Sequence, residues 1–312
     1  MADARLFLLT LATAAAANAA ALAFYPAMKW RNGPRRLAWL ACSVAVALSP
    51  SAVPARTVWR VAAGLVSVAL LLKLYDFDRS AARGVRPRFR TFAGLLPNWF
   101  WIVLRRPPRC GPQTGDAPTL IVQGTVMSAG IVALVWACRI DWRAAPFLVE
   151  HAVKVAALAS MMICGSNALA AAWRLCGGCA LTPMRNPLAA VTPADFWRRW
   201  NRPTQQFLHE YVYRPLGGHR EPVAATLATF VVSGLIHEWL FDLCAGRITG
   251  WQMLYFTLHG VAVVATANVH PRGPALRRLW TAATLAFGFA TTLLLGATLN
   301  DILPFYSPRA GH

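Results

Sequence analysis

The sequence predicts an all-α, polytopic integral membrane protein, with about eight transmembrane helices and additional amphipathic helices on the cytoplasmic side. Three observations lead there. Of 312 residues, 57% are hydrophobic and only 14% charged, too little polar surface for a soluble domain of this length. Several uncharged apolar runs also reach the ~17–25 residues needed to cross a bilayer as a helix. In hydrocarbon every backbone polar group must be paired internally, and runs this long and continuous select helices over barrel strands. Lastly, Lys and Arg outnumber Asp and Glu 31 to 12, and their placement follows the apolar pattern.

Taken in order, the expected spans are 6–28, 37–54, 58–75, 118–137, 146–166, 224–243, 251–269 and 279–298. The first follows Arg5 and is Ala-rich, but at about 23 residues it is long for the apolar core of a signal peptide, so it is read as a retained span. Four connecting segments, 29–36, 73–117, 167–223 and 270–278, hold 23 of the 31 basic residues. The N-terminus, 55–60, 138–145, 244–250 and the C-terminus hold seven, and Lys154 remains inside a span. This is the positive-inside pattern with both termini outside. The basic excess is therefore topological and points to no nucleic acid. It also suits anionic lipid or the phosphates of an acyl-CoA.

The chain reads as a single membrane domain, 1–312, with no internal repeat. Two cytoplasmic stretches are long enough to do more than connect. In 76–117, five Arg (Arg79, Arg83, Arg86, Arg88, Arg90) precede Phe92, Leu95, Leu96, Trp99, Phe100, Ile102 and Leu104. That pattern predicts an amphipathic helix in the headgroup layer, or a buried re-entrant one. In 180–223, Thr192-Pro193-Ala194-Asp195 reads as a helix start, with Thr at the N-cap, Pro first in the helix and Asp third. This helix is expected to run through Trp200-Asn201 and stop near Arg202, because Pro203 disfavours helix before it. A second amphipathic segment, Gln205 to Tyr213, ends at Pro215 and Gly217-Gly218.

Seven scattered cysteines give no disulfide framework. The Cys176-Gly-Gly-Cys179 pair is read as a Gly-rich break with incidental thiols. No His or carboxylate cluster offers a metal site. Glu150 and Lys154 stand four apart and can pair with each other, and His151 and His259 are read as isolated structural histidines.

The chemistry concentrates in about 190–243. Thr226, Thr229, Ser233 and His237 recur at spacings of three and four and share one helical face, beside Gly234. An ionisable group inside a span is costly and marks function by default, and His titrates where proton transfer near neutrality needs it.

Three runs then stand in order: Asp195-Phe196-Trp197-Arg198-Arg199-Trp200-Asn201, Tyr211-Val212-Tyr213-Arg214-Pro215, and Ala228 through Ser233-Gly234-Leu235-Ile236-His237-Glu238. Together they resemble the signature of the wax synthase branch of the membrane-bound O-acyltransferase family, with its Trp-Asn motif and its intramembrane Ser-Gly-x-x-His-Glu motif. The resemblance covers about 55 residues. It implies that His237 is the catalytic histidine and Asn201 its partner, with acyl-CoA as co-substrate, a lipophilic alcohol as acceptor and no other cofactor. Acyl transfer needs a base for the hydroxyl proton, which His237 supplies, and a donor to the developing oxyanion, which a neutral amide supplies.

Nothing indicates a covalent acyl-enzyme. Trp197 and Trp200 are candidates to line the acyl chain, Arg198 and Arg199 to meet coenzyme A phosphates, and Ser233 and Glu238 to face the substrate or orient the histidine. A sugar, sterol or secondary-metabolite hydroxyl is the alternative acceptor. A membrane transporter is the alternative class, though it predicts inverted repeats. High Ala and Arg content suggests a bacterium with a GC-rich genome, hence an inner-membrane location.

Overall fold

A computed structural model describes residues 2–308; Arg309, counted above with the sparse outer charges, lies outside them. Among the described residues the regular structure is helical, apart from one isolated antiparallel bridge between Cys110 and Cys179. The helices are α1 (Ala2–Leu22), α2 (Asn32–Leu48), α3 (Val58–Ala82), α4 (Phe89–Leu95), α5 (Asp116–Ala137) and α6 (Phe147–Leu175). They continue as α7 (Pro193–Arg199), α8 (Arg202–Leu208), α9 (Pro222–Ala245), α10 (Trp251–Ala265) and α11 (Pro274–Ile302).

Among the described residues, six segments are long and apolar enough to cross a membrane: Asp3–Lys29, α3, α5, α6, α9 and α11. The chain is an integral, multi-pass membrane protein. The apolar runs at 37–54 and 251–269 form shorter helices, α2 of 17 residues and α10 of 15. At 1.5 Å per residue each falls short of the ~30 Å hydrocarbon core. Pro50 closes the first, turning the chain into a 3-10 turn over Ser49–Ala52.

Two compact units divide the chain. One comprises residues up to Pro107 together with Leu235–Thr249. Its core gathers Phe24, Met28, Val46, Leu70, Leu74, Phe77 and Phe92 from α1 to α4. Arg35 and Asp78 form a buried ion pair at 2.8 Å, and the Lys73 ammonium donates to the carbonyls of Leu95 and Leu96, both at 2.7 Å.

Of the two expectations for 92–104, a headgroup-layer helix or a buried re-entrant one, these bonds favour burial, but the helix is short. The helix there, α4, has seven residues, and beyond Leu95 the chain continues as turns and irregular backbone. Phe92, Leu95, Leu96 and Val103 are buried, the Phe92 ring packs tilted against Phe77 with centres 4.4 Å apart, and Leu104 N–H donates to Asp76 at 2.9 Å. These residues are held inside protein against α3, while Trp99 stays exposed.

The second half of α9 also packs in this unit. Gly64 on α3 has no Cβ, and one placed there would collide with the Leu240 side chain. At its end, Gly246 adopts φ 73° and donates its N–H to Asp242 O at 2.8 Å, and Arg56 N–H donates to Cys244 O at 2.8 Å. The Asp242 and Cys244 carbonyls in the last turn of the helix are thus satisfied.

The other unit comprises Pro108–Gly234 and Gly250 onward. Its centre is an α5–α6 hairpin. A Cβ on Gly130 would come within 3.1 Å of Ala157 O and 3.2 Å of Met161 N, so the bare glycine lets the two backbones approach, as small residues do between membrane helices. Arg174 at the end of α6 donates to both carboxylate oxygens of Asp116 at 3.0 Å.

Next to that pair, Cys110 and Cys179 form a disulfide spanning 69 residues. This corrects the reading of Cys179 as an incidental thiol. Gly177 turns the chain at φ 84°, and Gly111 N–H donates to Gly178 O at 3.0 Å. The turn lays Cys179 against a partner remote in sequence.

Within α6, Glu150 and Lys154 do pair, at 2.7 Å and almost fully buried. The Lys154 ammonium also donates to Phe305 O, and His151 Nδ1 meets the Tyr306 hydroxyl at 2.7 Å.

Candidate active site

The Asp195–Asn201 motif sits on α7 and the turn after it. Thr192 caps α7 as its spacing predicts: its hydroxyl accepts from Asp195 N–H at 3.2 Å, with Pro193 opening the helix. The Asp195 carboxylate accepts from Val191 N–H at 3.1 Å and from Arg199 at 2.9 Å. Burial pushes the Asp195 carboxyl upward, but the Arg199 and Val191 bonds and the charges of Arg199 and Arg198 hold it below the usual range.

α7 ends at Arg199, two residues before the expected Asn201. Trp200 is extended, and Asn201 takes a left-handed backbone, φ 39° and ψ 58°. Pro203 does not simply stop a helix. It stands in the first turn of α8, for which Asn201 is the N-cap residue, with no capping bond from its side chain.

This corner is laced to the loop before it. Arg202 N–H donates to Pro183 O at 3.0 Å, Arg185 N–H to Arg199 O at 2.9 Å, and Asn201 N–H points at Met184 Sδ at 3.3 Å. Met184 is fixed in turn by Asn167 of α6, whose amide donates to Met184 O at 3.0 Å and accepts from Met184 N–H at 2.9 Å. Sequence reading missed Asn167 and Met184. A lone Asn on an apolar helix was the available signal.

The two tryptophans part company. The Trp200 ring stacks on Phe196 at 5.4 Å and 19°. Trp197 instead enters a slot formed by Phe230 of α9 and Phe256 and His259 of α10, with ring centres 5.2–5.7 Å away. Its indole N–H donates to His259 Nδ1 at 3.1 Å. His259, read from sequence as isolated, is therefore a direct partner of the motif helix. Arg198 is exposed and stands 3.9 Å from Asp195, while Arg199 pairs closely with it.

On α9, Ser233 is buried and Gly234 lies under α10, where an added Cβ would meet Met253 Sδ at 2.9 Å. His237 is half-buried. Glu238 is buried and accepts from the Thr249 hydroxyl at 2.9 Å, while Asp242 accepts from Thr249 N–H at 3.0 Å. Asn201 and Ser233 belong to the second unit described, and His237 and Glu238 to the first.

Long apolar helices among the described residues define a multi-pass membrane protein, and its motif helix α7 is laced to the loop before it. Residues 131–293 match the model of MBOAT, the membrane-bound O-acyltransferase family, and with just over half the chain matched the protein belongs to that family. The matched region contains both Asn201 and His237.

Among similar proteins, probable long-chain-alcohol O-fatty-acyltransferase 2 of Arabidopsis thaliana is 38% identical over 95 residues, covering 27% of this chain and 28% of that protein. Acyl-CoA–sterol O-acyltransferase 1 of the same plant is 33% identical over 144 residues, 41% of each chain. Sterol O-acyltransferase 2 of Rattus norvegicus is 32% identical over 104 residues, 32% of this chain and 20% of that protein. The matches thus span between about a fifth and two fifths of these relatives' lengths.

Proposed function

We propose that this protein is an O-acyltransferase that moves an acyl group from a thioester donor, acyl-CoA, to the hydroxyl of a lipophilic alcohol, as wax synthases do. The observation that carries this reading is that the Trp-Asn and Ser-Gly-x-x-His-Glu motifs both fall within the family match. Family membership defines the reaction class; the named relatives act on long-chain alcohols and sterols.

In the proposed reaction His237 takes the proton as the alcohol oxygen attacks the thioester carbonyl. The C–O bond forms, the C–S bond breaks, and the leaving thiolate receives the proton back from His237. Asn201 donates its amide hydrogen bond to the carbonyl oxygen as charge develops there. Within the membrane these groups act away from water, which would otherwise hydrolyse the thioester. Arg198, the exposed arginine of the motif, is the residue proposed to meet coenzyme A phosphates. Glu238, held by Thr249, is proposed to bear on its neighbour His237.

A sterol acceptor is the second reading, supported by the match to a sterol acyltransferase, which extends over 144 residues. For location, the Ala- and Arg-rich composition supports a bacterial inner membrane, although the relatives named above are plant and rodent proteins.

The test is to incubate membranes containing the protein with labelled acyl-CoA and a panel of fatty alcohols, sterols and sugars. Labelled ester from a fatty alcohol, absent from control membranes, is expected. Ester from sterol alone would select the second reading, and no ester from any alcohol would reject both.

A further inference from the structure

Beyond the two motif residues, one side chain is built to hold the motif in place. We infer that His259 is a positioning residue for acyl transfer: a neutral imidazole on α10 that fixes Trp197, and through α7 the Asn201 amide four residues on. The inference rests on the acyltransferase reading proposed above, and its geometry lies within one compact unit.

The bonds leave His259 one tautomer. Trp197 Nε1 is only a donor, so His259 Nδ1, 3.1 Å away, must accept. His259 Nε2 therefore carries the proton and donates to Thr291 Oγ1 at 2.9 Å on α11. The Thr291 hydroxyl passes its own hydrogen to Phe287 O at 3.0 Å or Gly288 O at 2.9 Å. Every donor and acceptor in the chain is used, and a fully satisfied buried network specifies a single arrangement.

Packing enforces the same geometry. The imidazole is 3% exposed and lies between Tyr255 at 4.4 Å and Phe287 at 4.9 Å. Gly260 beside it is bare, where an added Cβ would meet Phe230 at 2.9 Å, and Phe230 is a wall of the Trp197 slot.

Two consequences follow for Trp197. Its N–H is committed to His259, so it contributes no hydrogen bond to an acyl carbonyl. Its ring also joins the seven-residue α7 to α10, which a helix too short to hold its own orientation needs. Small displacements of a catalytic donor cost rate steeply, so loosening this joint should lower turnover without removing substrate contacts.

The experiment measures kcat and KM for acyl-CoA in solubilised wild type, His259→Ala, His259→Asn, Trp197→Phe and the Trp197→Phe/His259→Ala double variant. Thermal unfolding of each is followed in parallel. His259→Ala is expected to lose about tenfold or more in kcat, with KM within about twofold. His259→Asn, whose side-chain oxygen can accept where Nδ1 does, recovers a large part. The double variant is expected to be no worse than Trp197→Phe alone, because both break one joint.

Additive losses in the double variant, or equal loss in the Asn and Ala variants, overturn the positioning role. So does a change confined to KM. If His259→Ala fails to fold, the Asn variant and Trp197→Phe decide: activity of Trp197→Phe equal to wild type refutes the role. A wild type inactive on every alcohol defeats the acyltransferase reading and the positioning role with it, whereas coupling in the unfolding data still reports whether the bond exists.

Discussion

Asn201 shows what a motif reveals and what it conceals. Its identity was legible, because an amide directly after Trp197-Arg198-Arg199-Trp200 stands out in a basic loop. Its left-handed backbone was not, since Pro203 suggested a helix stop and in fact sits in the next helix start. Left-handed backbone costs most residues roughly 1–2 kcal/mol, and Asn and Gly visit it readily. Asn201→Ala therefore changes backbone and amide together, while Asn201→Gly changes the amide and spares the backbone. If the amide stabilises the developing oxyanion, both variants lose about 10²-fold or more in acyl transfer, and only Asn201→Ala also unfolds earlier. An active Asn201→Gly enzyme would leave the amide without a catalytic role.

Asp195 gives a pH signature at the same scale. Its carboxyl lies below the usual range in the folded protein: burial raises it, and the Arg199 and Val191 bonds with the Arg199 and Arg198 charges together outweigh that. Its contribution is therefore present above the unfolded-state value and fades as pH falls through the folded one. Asp195→Asn should lower the unfolding midpoint at neutral pH, and the gap to wild type should close in acid. Lys154 is a harsher case. It sits beside Glu150, both buried, so Lys154→Met alone should cost about 3–5 kcal/mol, and adding Glu150→Leu should recover much of it. Equilibrium or thermal unfolding in detergent distinguishes the two.

Among elements, α7 was the best predicted at its start. Thr192, Pro193 and Asp195 carry a local signal that tertiary structure does not overrule, and Thr192→Ala should cost about 1 kcal/mol. The stretch after Phe92 stayed open between headgroup layer and burial because an apolar periodicity flanked by Arg looks alike whether it faces lipid or protein. The buried Lys73, bound to Leu95 and Leu96, decides between them, and a pairing 22 residues apart leaves no local trace.

The Cys110–Cys179 link was invisible for the same reason. Thiol labelling of detergent-solubilised protein should modify the exposed Cys138 and Cys176 directly, but Cys110 and Cys179 only after reduction. Labelling of all four without reductant would contradict the disulfide. The close α5–α6 approach at Gly130 supplies a further check. Gly130→Leu should destabilise by about 1–3 kcal/mol, because the atoms it meets are backbone that cannot yield.

For the molecule as a whole, composition and span length settled the membrane class without any family. Helix length is set by bilayer thickness, so six of the eight expected spans reappear as long helices, whereas α2 and α10 fall short. The basic loops follow the same logic, because lipid and insertion impose charge asymmetry regardless of fold.

The proposed catalytic residues belong to the other kind of information. His237 and Asn201 were legible as residue types at family spacing. The joints that hold the motif, Trp197 to His259 and Met184 to Asn167, link elements far apart in sequence, and only the folded chain displays them.

Acyl transfer by this protein is proposed to run through His237. The most direct measurement is ester formation from labelled acyl-CoA and a long-chain alcohol, in membranes holding equal amounts of wild type and His237→Ala. Robust ester from wild type and a drop of about 10²-fold or more in the variant is the expected result. Undiminished ester formation by His237→Ala would contradict the account.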